Sequence, residues 1–160
     1  TTTSIGEITA EWEDPDRADP YLTDGTPRRV VVSLWYPSVQ DGPTQPYPGA
    51  DVAAALASAT GAPEWLFGYL SNASTPIVSN AAPAPASGAD AADGRPVVLF
   101  SPGYGSTRFQ NMSTVQALVA EGYVVVGVDH PFTAARLTLT DGSTVSATPA
   151  PPVTDRKSGG

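Results

Sequence analysis

Cysteine is absent from the 160 residues, and histidine occurs once, as His130. The lack of cysteine excludes disulfides, thiolate metal ligands and a cysteine nucleophile from this stretch of chain. A single histidine leaves one imidazole for acid and base chemistry, which a nucleophile-and-base hydrolase needs in a defined position. We therefore expect these residues to carry little such machinery themselves.

Positive charge is also scarce. Eight Lys and Arg residues stand against sixteen Asp and Glu residues, which gives a formal net charge of -8. This balance argues against a nucleic-acid backbone or an anionic membrane as the main partner. No run approaches the roughly 18 consecutive apolar residues of a transmembrane helix. The acidic, Ala-, Thr-, Gly- and Pro-rich composition favours a secreted protein, with the cytoplasm as the alternative.

The length of 160 residues and the apolar fraction of 41% fit a single globular domain. The first clear strand is predicted at Arg29–Tyr36, whose β-branched and aromatic residues are apolar on both faces. Residues 4–12 alternate loosely and predict an edge strand, antiparallel to the first across an acidic connection at 13–27. These strands form the predicted opening pair of the fold.

The middle of the chain is less regular. An Ala- and Leu-rich helix is predicted over 51–59, capped by Asp51 and ended by Gly61 and Pro63. The apolar segment 64–70 predicts either a short helix or a wall over a cavity. Residues 80–94 are of low complexity and predict a surface loop.

The segment from Pro96 to Val128 carries the most information. It predicts a strand over 96–101, a glycine turn over 102–106, a helix over 109–121 stopped by a glycine, and a strand over 123–128. This order is a βαβ crossover, and strands apolar on both faces predict a parallel sheet covered by helices on each side. Ligands in such sheets bind at the carboxyl ends of strands, here 102–108 and 129–133.

Little regular structure is predicted after this unit. Residues 137–145 predict a small hairpin around Asp141 and Gly142, and residues 146–160 predict a tail. Four sheet strands and two helices supply only part of the cover that a parallel sheet needs. The fold class is therefore α/β, with an incomplete sheet.

Three motifs occur in a specific order: RRVVVSLWYPS, then PVVLFSPGYGSTRFQNMSTVQALVAEGYVVVGVDHPFTAA, then TDGSTV. This order resembles the amino-terminal part of the α/β-hydrolase family of plasma-type platelet-activating factor acetylhydrolases. The likeness covers about residues 28–145, with a gap over the variable segment 38–95. The SPGY segment also resembles bacterial cutinases and polyester hydrolases, because Pro102 stands where acetylhydrolases usually carry His. The resemblance implies that residues 1–160 are the N-terminal portion of one α/β-hydrolase domain, in which antiparallel opening strands precede a parallel βαβ unit.

The resemblance further implies a serine esterase of lipid or other carboxylic esters, in which backbone N–H groups hold the oxyanion. Carried over, the backbone N–H of Tyr104 is one of two oxyanion-hole donors, and Gly103 and Gly105 shape the turn that meets the substrate. Trp65 and Phe67 either line an acyl pocket or cover the helix that precedes them. This chemistry requires neither cofactor nor metal.

The nucleophile motif Gly-x-Ser-x-Gly does not occur in the 160 residues. We therefore expect the Ser-His-Asp triad in the C-terminal half of the hydrolase, either as a second chain or as a missing segment, and expect this chain alone to be inactive. Ser101 and Ser106 fit helix caps or backbone partners better than nucleophiles. Asp129 and His130 are adjacent on a strand end, point opposite ways and do not predict a catalytic pair.

Two other functions fit the same sequence. One is a polyester hydrolase related to the cutinases, supported by SPGY. The other is a non-catalytic half-hydrolase that binds or assembles through an exposed strand edge. The acidic residues of 11–19 offer oxygen ligands suited to calcium, but Pro15 and Pro20 favour a solvated connection.

Overall fold

The computed structural model describes residues 4–39, 42–86 and 94–149. Within these ranges the chain forms eight strands, two α-helices and one 3₁₀ helix. In chain order they are β1 (Ser4–Ala18), β2 (Pro27–Ser38), β3 (Thr44–Pro46), α1 (Gly49–Thr60), the 3₁₀ helix (Glu64–Asn72), β4 (Ser74–Ser79), β5 (Val97–Phe100), α2 (Met112–Ala120), β6 (Val124–Asp129), β7 (Arg136–Thr138) and β8 (Thr144–Ser146). Parts of the predicted loop 80–94 and tail 146–160, namely 87–93 and 150–160, lie outside the described residues.

The antiparallel opening pair is confirmed, and it is longer than predicted. β1 pairs with β2 in register from Ser4 opposite Ser38 to Asp14 opposite Arg28. The acidic segment after residue 12 was predicted as a connection, but it continues the strand because its carboxylates lie across from two arginines. One of them, Arg29, also forms an ion pair of 3.0 Å with Glu11.

The main sheet has six strands in the order β3-β4-β1-β2-β6-β5. The prediction that β1 is an edge strand is wrong over Ile5–Glu7, because β4 pairs with it there in parallel. The short strands β3 and β4 were not predicted, and the three prolines at 43, 46 and 48 indicated a break in regular structure around β3. Pro46 is tolerated in β3 because this strand lies at the edge of the sheet.

The predicted βαβ unit is confirmed by β5, α2 and β6. β5 and β6 are parallel neighbours, and β6 also pairs antiparallel with β2. α2 begins at Met112 rather than 109, because residues 107–110 first form a turn in which the Gln110 N–H donates to the Thr107 carbonyl. Gly122, with φ of 98°, follows the helix as predicted.

One face of the sheet carries the main core. Trp35 of β2 is fully buried and packs edge-on against Phe109 at 5.9 Å between ring centroids. Val115 and Val119 of α2 complete this cluster with further residues of β1, β4, β6 and the start of α2. The hairpin of β7 and β8, predicted around Asp141 and Gly142, packs its apolar residues against Val31 on the same side of β2.

Among the residues that the structure describes, none supplies the helix cover predicted for the opposite face. Its cluster is made of strand residues around Val32, Val126 and Val128, and no described helix contributes to it. At its edge, Val97 and Leu99 of β5 are 65% and 70% exposed. β5 ends the sheet, so among the described residues its outer edge has no partner strand.

The segment before β4 holds α1 and the 3₁₀ helix. Asp51 was predicted to cap α1, but the helix begins two residues earlier and Pro48 occupies the cap without a side-chain hydrogen bond. Gly61 ends the helix in the left-handed conformation, as predicted. The 3₁₀ helix has no buried residue. Among the described residues, no helix has the length and apolarity to cross a membrane.

Candidate active site

The glycine turn that follows β5 is fixed by its backbone. Gly105 has φ of 73°, in the left-handed region that favours glycine, and the Ser106 N–H donates to the Gly103 carbonyl at 3.1 Å. Gly103 has no such constraint, and a methyl group built on it would meet no atom within 4 Å. The conformation of the turn therefore requires glycine at only one of the two predicted positions.

The two strand-end segments predicted to meet at the ligand site lie side by side. The Gly105 N–H donates to the Thr133 carbonyl at 2.8 Å, and the Ala135 N–H donates to the Ser106 carbonyl at 3.0 Å. Phe132 lies in the same segment after β6. It has a positive φ of 66°, and its ring stacks on the ring of Tyr21. The segment after β6 thus holds the turn after β5 in place.

Tyr104 lies at the apex of this turn. Its side chain is 62% exposed. Unlike the N–H groups of Gly105 and Ser106, its backbone N–H has no hydrogen-bond acceptor among the described residues. A backbone donor held in a fixed turn and left unpaired is available to a ligand atom.

A pocket of about 290 Å³ separates this turn from α1. One wall is a stripe of α1, formed by Val52, Ala55, Leu56 and Ala59. The other wall is formed by residues 103–107 and by Gln110. None of these described lining residues is charged, so the pocket suits an uncharged, largely apolar group.

Trp65 and Phe67, the predicted acyl-pocket residues, are not among the described residues that line this pocket. Trp65 is 78% exposed, and Phe67 is half-buried on the 3₁₀ helix. That short apolar segment cannot indicate which side of a helix faces the protein. The apolar residues of α1 do line the pocket, whereas their sequence pattern predicts only a helix.

A buried polar network centres on Arg108, directly after the turn. Arg108 donates from Nη1 to Oδ2 of Asp129 at 2.5 Å and from Nε to Oγ of Ser33 at 2.9 Å. Its backbone N–H donates to Oδ1 of the same aspartate at 2.7 Å. Burial raises the pKa of Asp129, and the charge and hydrogen bonds of Arg108 counteract that rise. The network anchors the residues after Tyr104 to β6 and β2.

Ser101 and His130 form a hydrogen bond of 3.0 Å between Oγ and Nε2. Sequence reasoning did not pair them, although each follows one of two neighbouring parallel strands. Burial lowers the pKa of His130, and the positive charges of Arg28 and Arg17 lower it further, which favours the neutral imidazole. Asp129 bonds to Arg108 instead of to this imidazole, so the adjacent Asp and His indeed do not form a pair.

The family described as platelet-activating factor acetylhydrolase, isoform II, matches residues 18–149, which include the turn, the pocket and the buried network. The chain belongs to this family. The resemblance drawn from the three sequence motifs is thereby confirmed. The acetylhydrolase family assignment also agrees with the architecture, a mixed sheet with helices that has the α/β-hydrolase fold.

Two relatives named as esterases are similar to this chain. A protein of Arthroderma benhamiae named "Probable 1-alkyl-2-acetylglycerophosphocholine esterase" is 29% identical over 129 residues, which are 76% of this chain and 33% of that protein. A ferulic acid esterase from Streptomyces cinnamoneus is 28% identical and superposes with a TM-score of 0.70, covering 92% of this chain and 39% of its own. The chain thus spans well under half the length of either relative.

Proposed function

We propose that this chain forms the oxyanion-binding part of a carboxylic ester hydrolase whose Ser-His-Asp triad lies in the remainder of the protein. The observation that carries the proposal is the unpaired backbone N–H of Tyr104, held in a fixed turn beside an uncharged pocket. Membership of the acetylhydrolase family and likeness to two proteins named as esterases support the same chemistry.

The chemistry assigned to Tyr104 follows from charge development. Attack of a serine oxygen on an ester carbonyl places negative charge on the carbonyl oxygen in the tetrahedral state. An N–H group already fixed near that oxygen stabilises the charge without reorganising, and one such donor contributes about 10²- to 10³-fold to kcat. The hydrogen bonds from Gly105 and Ala135 that hold the turn support this fixed position.

The remainder of the hydrolase is the partner that we propose for the outer edge of β5. The exposed side chains of Val97 and Leu99, on the sheet face beside this edge, support this, because an apolar surface next to an unpaired strand edge is normally covered in proteins. The coverage of 33% and 39% of the two relatives leaves ample chain to do so. The competing reading, a non-catalytic half-hydrolase, predicts a stable homodimer through this edge with no esterase activity.

The contribution of Tyr104 can be tested with a pair of substitutions at one position. Tyr104→Pro removes the backbone N–H, whereas Tyr104→Ala removes the side chain and keeps the N–H. In the full-length protein we expect kcat for p-nitrophenyl acetate to fall about 10²- to 10³-fold further in the proline variant than in the alanine variant. Circular dichroism and thermal unfolding check that both are folded. Equal kcat values for two folded variants would contradict the role of the N–H.

The location of the nucleophile has a direct test. A fluorophosphonate reacts with an activated serine, and mass spectrometry of the labelled full-length protein identifies the modified peptide. We expect the label outside residues 1–160, and expect Ser101→Ala and Ser106→Ala to stay labelled. Loss of a true nucleophile costs about 10⁶-fold in kcat. A label on either of these serines would place the nucleophile within this chain instead.

Two classes of ester are candidate substrates. The acetylhydrolase family supports acetylated phospholipids, hence a role in lipid degradation, whereas the ferulic acid esterase likeness and the Pro102-Gly103-Tyr104 sequence support aryl or polyester substrates. Rates on acetylated phospholipid, tributyrin, methyl ferulate and polyester film separate them. The acidic composition supports a secreted enzyme, which N-terminal sequencing of culture supernatant would test.

A further inference from the structure

The pocket wall contributed by α1 has a regular pattern. Val52, Ala55, Leu56 and Ala59 follow the spacing i, i+3, i+4 and i+7, which places them on one side of the helix. A stripe of this kind normally packs against a protein core. Here it lines a cavity opposite the turn that carries Tyr104.

The stripe also runs from the interior to the surface. Val52 is half-buried and packs against the main core, Ala55 is buried, and Ala59 is exposed at the rim. Two of the four residues are alanines, whose short side chains leave space on this side of the helix. A longer side chain at either alanine would occupy space inside the pocket without involving any group of the turn.

We propose that α1 sets the length of the acyl chain that the hydrolase accepts, with the alanines at 55 and 59 leaving room for it. The ligand is an uncharged, unbranched acyl group that lies along the stripe while its carbonyl oxygen meets the N–H of Tyr104. This inference rests on the proposed ester hydrolysis. It adds the structural element that determines which esters are cleaved.

The test uses the full-length protein and p-nitrophenyl esters of acetate, butyrate, hexanoate and octanoate. Ala55→Leu fills the inner part of the pocket and Ala59→Leu fills the rim, where an exposed position tolerates the larger residue. Ala57→Leu is the matched control, because it makes the same change on the same helix away from the pocket lining. The quantity compared is kcat/KM for each ester divided by kcat/KM for acetate.

Each methylene displaced from an apolar site is expected to lower this ratio about fourfold, so the three added carbons of leucine lower it on the order of 50-fold for the longest chain accepted. We expect a loss of this size in Ala55→Leu, a smaller loss in Ala59→Leu because the rim is exposed to water, and an unchanged ratio in Ala57→Leu. If Ala55→Leu does not fold, Ala59→Leu still tests whether α1 sets the acyl-chain length.

Two failures are distinguishable. Ratios of the folded pocket variants equal to those of wild type and of Ala57→Leu would overturn the role of α1 while leaving ester hydrolysis intact. A folded wild-type protein that hydrolyses none of the four esters would overturn the proposed function, and this inference with it.

Discussion

Replacing Arg108 by methionine isolates the buried ion pair beneath the candidate active site. Methionine keeps an unbranched apolar side chain but removes the charge and two hydrogen bonds, one of 2.5 Å to Asp129 and one of 2.9 Å to Ser33. The guanidinium also lies over the Phe109 ring at 4.3 Å, and that contact is lost as well. The backbone N–H at position 108 remains, so the aspartate keeps one donor.

The loss of stability is expected to be large because the carboxylate that remains cannot reach water. The side chain of Asp129 is 1% exposed. Removing one partner of a buried ion pair costs about 3–5 kcal/mol, a substantial part of the roughly 5–15 kcal/mol that stabilises a domain. The pKa of this aspartate is already raised by burial, and without the arginine it rises further.

The raised pKa of Asp129 determines how the stability of the Arg108→Met variant depends on pH. A carboxyl whose pKa is higher in the folded than in the unfolded protein favours folding when protonated, and this advantage is lost as the pH rises through the folded pKa. The destabilisation of Arg108→Met relative to wild type is therefore expected to be smaller at pH 5 than at pH 7.5. Adding Asp129→Asn removes the stranded charge, so the double variant is expected to be more stable than Arg108→Met alone at pH 7.5.

Urea unfolding of the full-length protein at both pH values, followed by tryptophan fluorescence, measures these differences. Asp129→Asn alone completes the double-mutant cycle. A loss below about 1 kcal/mol for Arg108→Met at pH 7.5, within the range of an ordinary surface pair, would refute the reasoning. So would a double variant no more stable than the arginine variant.

Three further predictions concern Gly105, Gly127 and Glu11. Gly105→Ala forces alanine into the left-handed region and should cost about 1–2 kcal/mol in thermal unfolding, whereas Gly103→Ala should stay within about 0.5 kcal/mol; equal losses would contradict the constraint on the turn. Gly127→Ala places a methyl group 2.6 Å from the Trp35 ring. This substitution should lower the free energy of unfolding by about 1–3 kcal/mol and alter the near-UV circular dichroism spectrum. An unchanged spectrum would contradict the contact with Trp35. Burial raises the pKa of Glu11, but its hydrogen bonds and the adjacent arginine outweigh this and lower the pKa overall. The stabilisation that the Glu11 carboxylate contributes is therefore lost as the pH falls. In urea titrations Glu11→Gln should destabilise the protein by about 1 kcal/mol at pH 7 and by much less at pH 3.

Local sequence patterns were sufficient for the elements with a strong period or a defined stop. The β-branched runs of β2 and β6, the helix before Gly122 and the turn at Gly105 each follow from interactions between residues close in the chain. The extension of β1 past Trp12 does not, because it depends on arginines that lie opposite only once the strands have paired. Short strands such as β4 are likewise stabilised by neighbours that sequence order does not reveal.

In the candidate site, too, local features could be predicted from sequence and contacts between distant residues could not. The position of Tyr104 in the turn after β5 followed from the glycines of this turn and from the family resemblance. The partners that support it did not, because Arg108 and Asp129 lie 21 residues apart and Ser33 lies 75 residues from the arginine. The pocket required knowledge of which side of α1 faces the turn, and the exposed side chain of Trp65 shows that aromatic character alone does not identify a lining residue.

The strand order has a consequence for how the chain folds. β6 lies between β2 and β5 in the sheet, although it follows both in sequence. During synthesis the β1–β2 hairpin can form early, but β5 has no place in the sheet until β6 has been made. An apolar strand that waits for its neighbour is prone to associate with other chains. Docking of β6 therefore connects β5 to the other strands of the main sheet, and β5 has no partner strand among the described residues until residues 124–129 have been made.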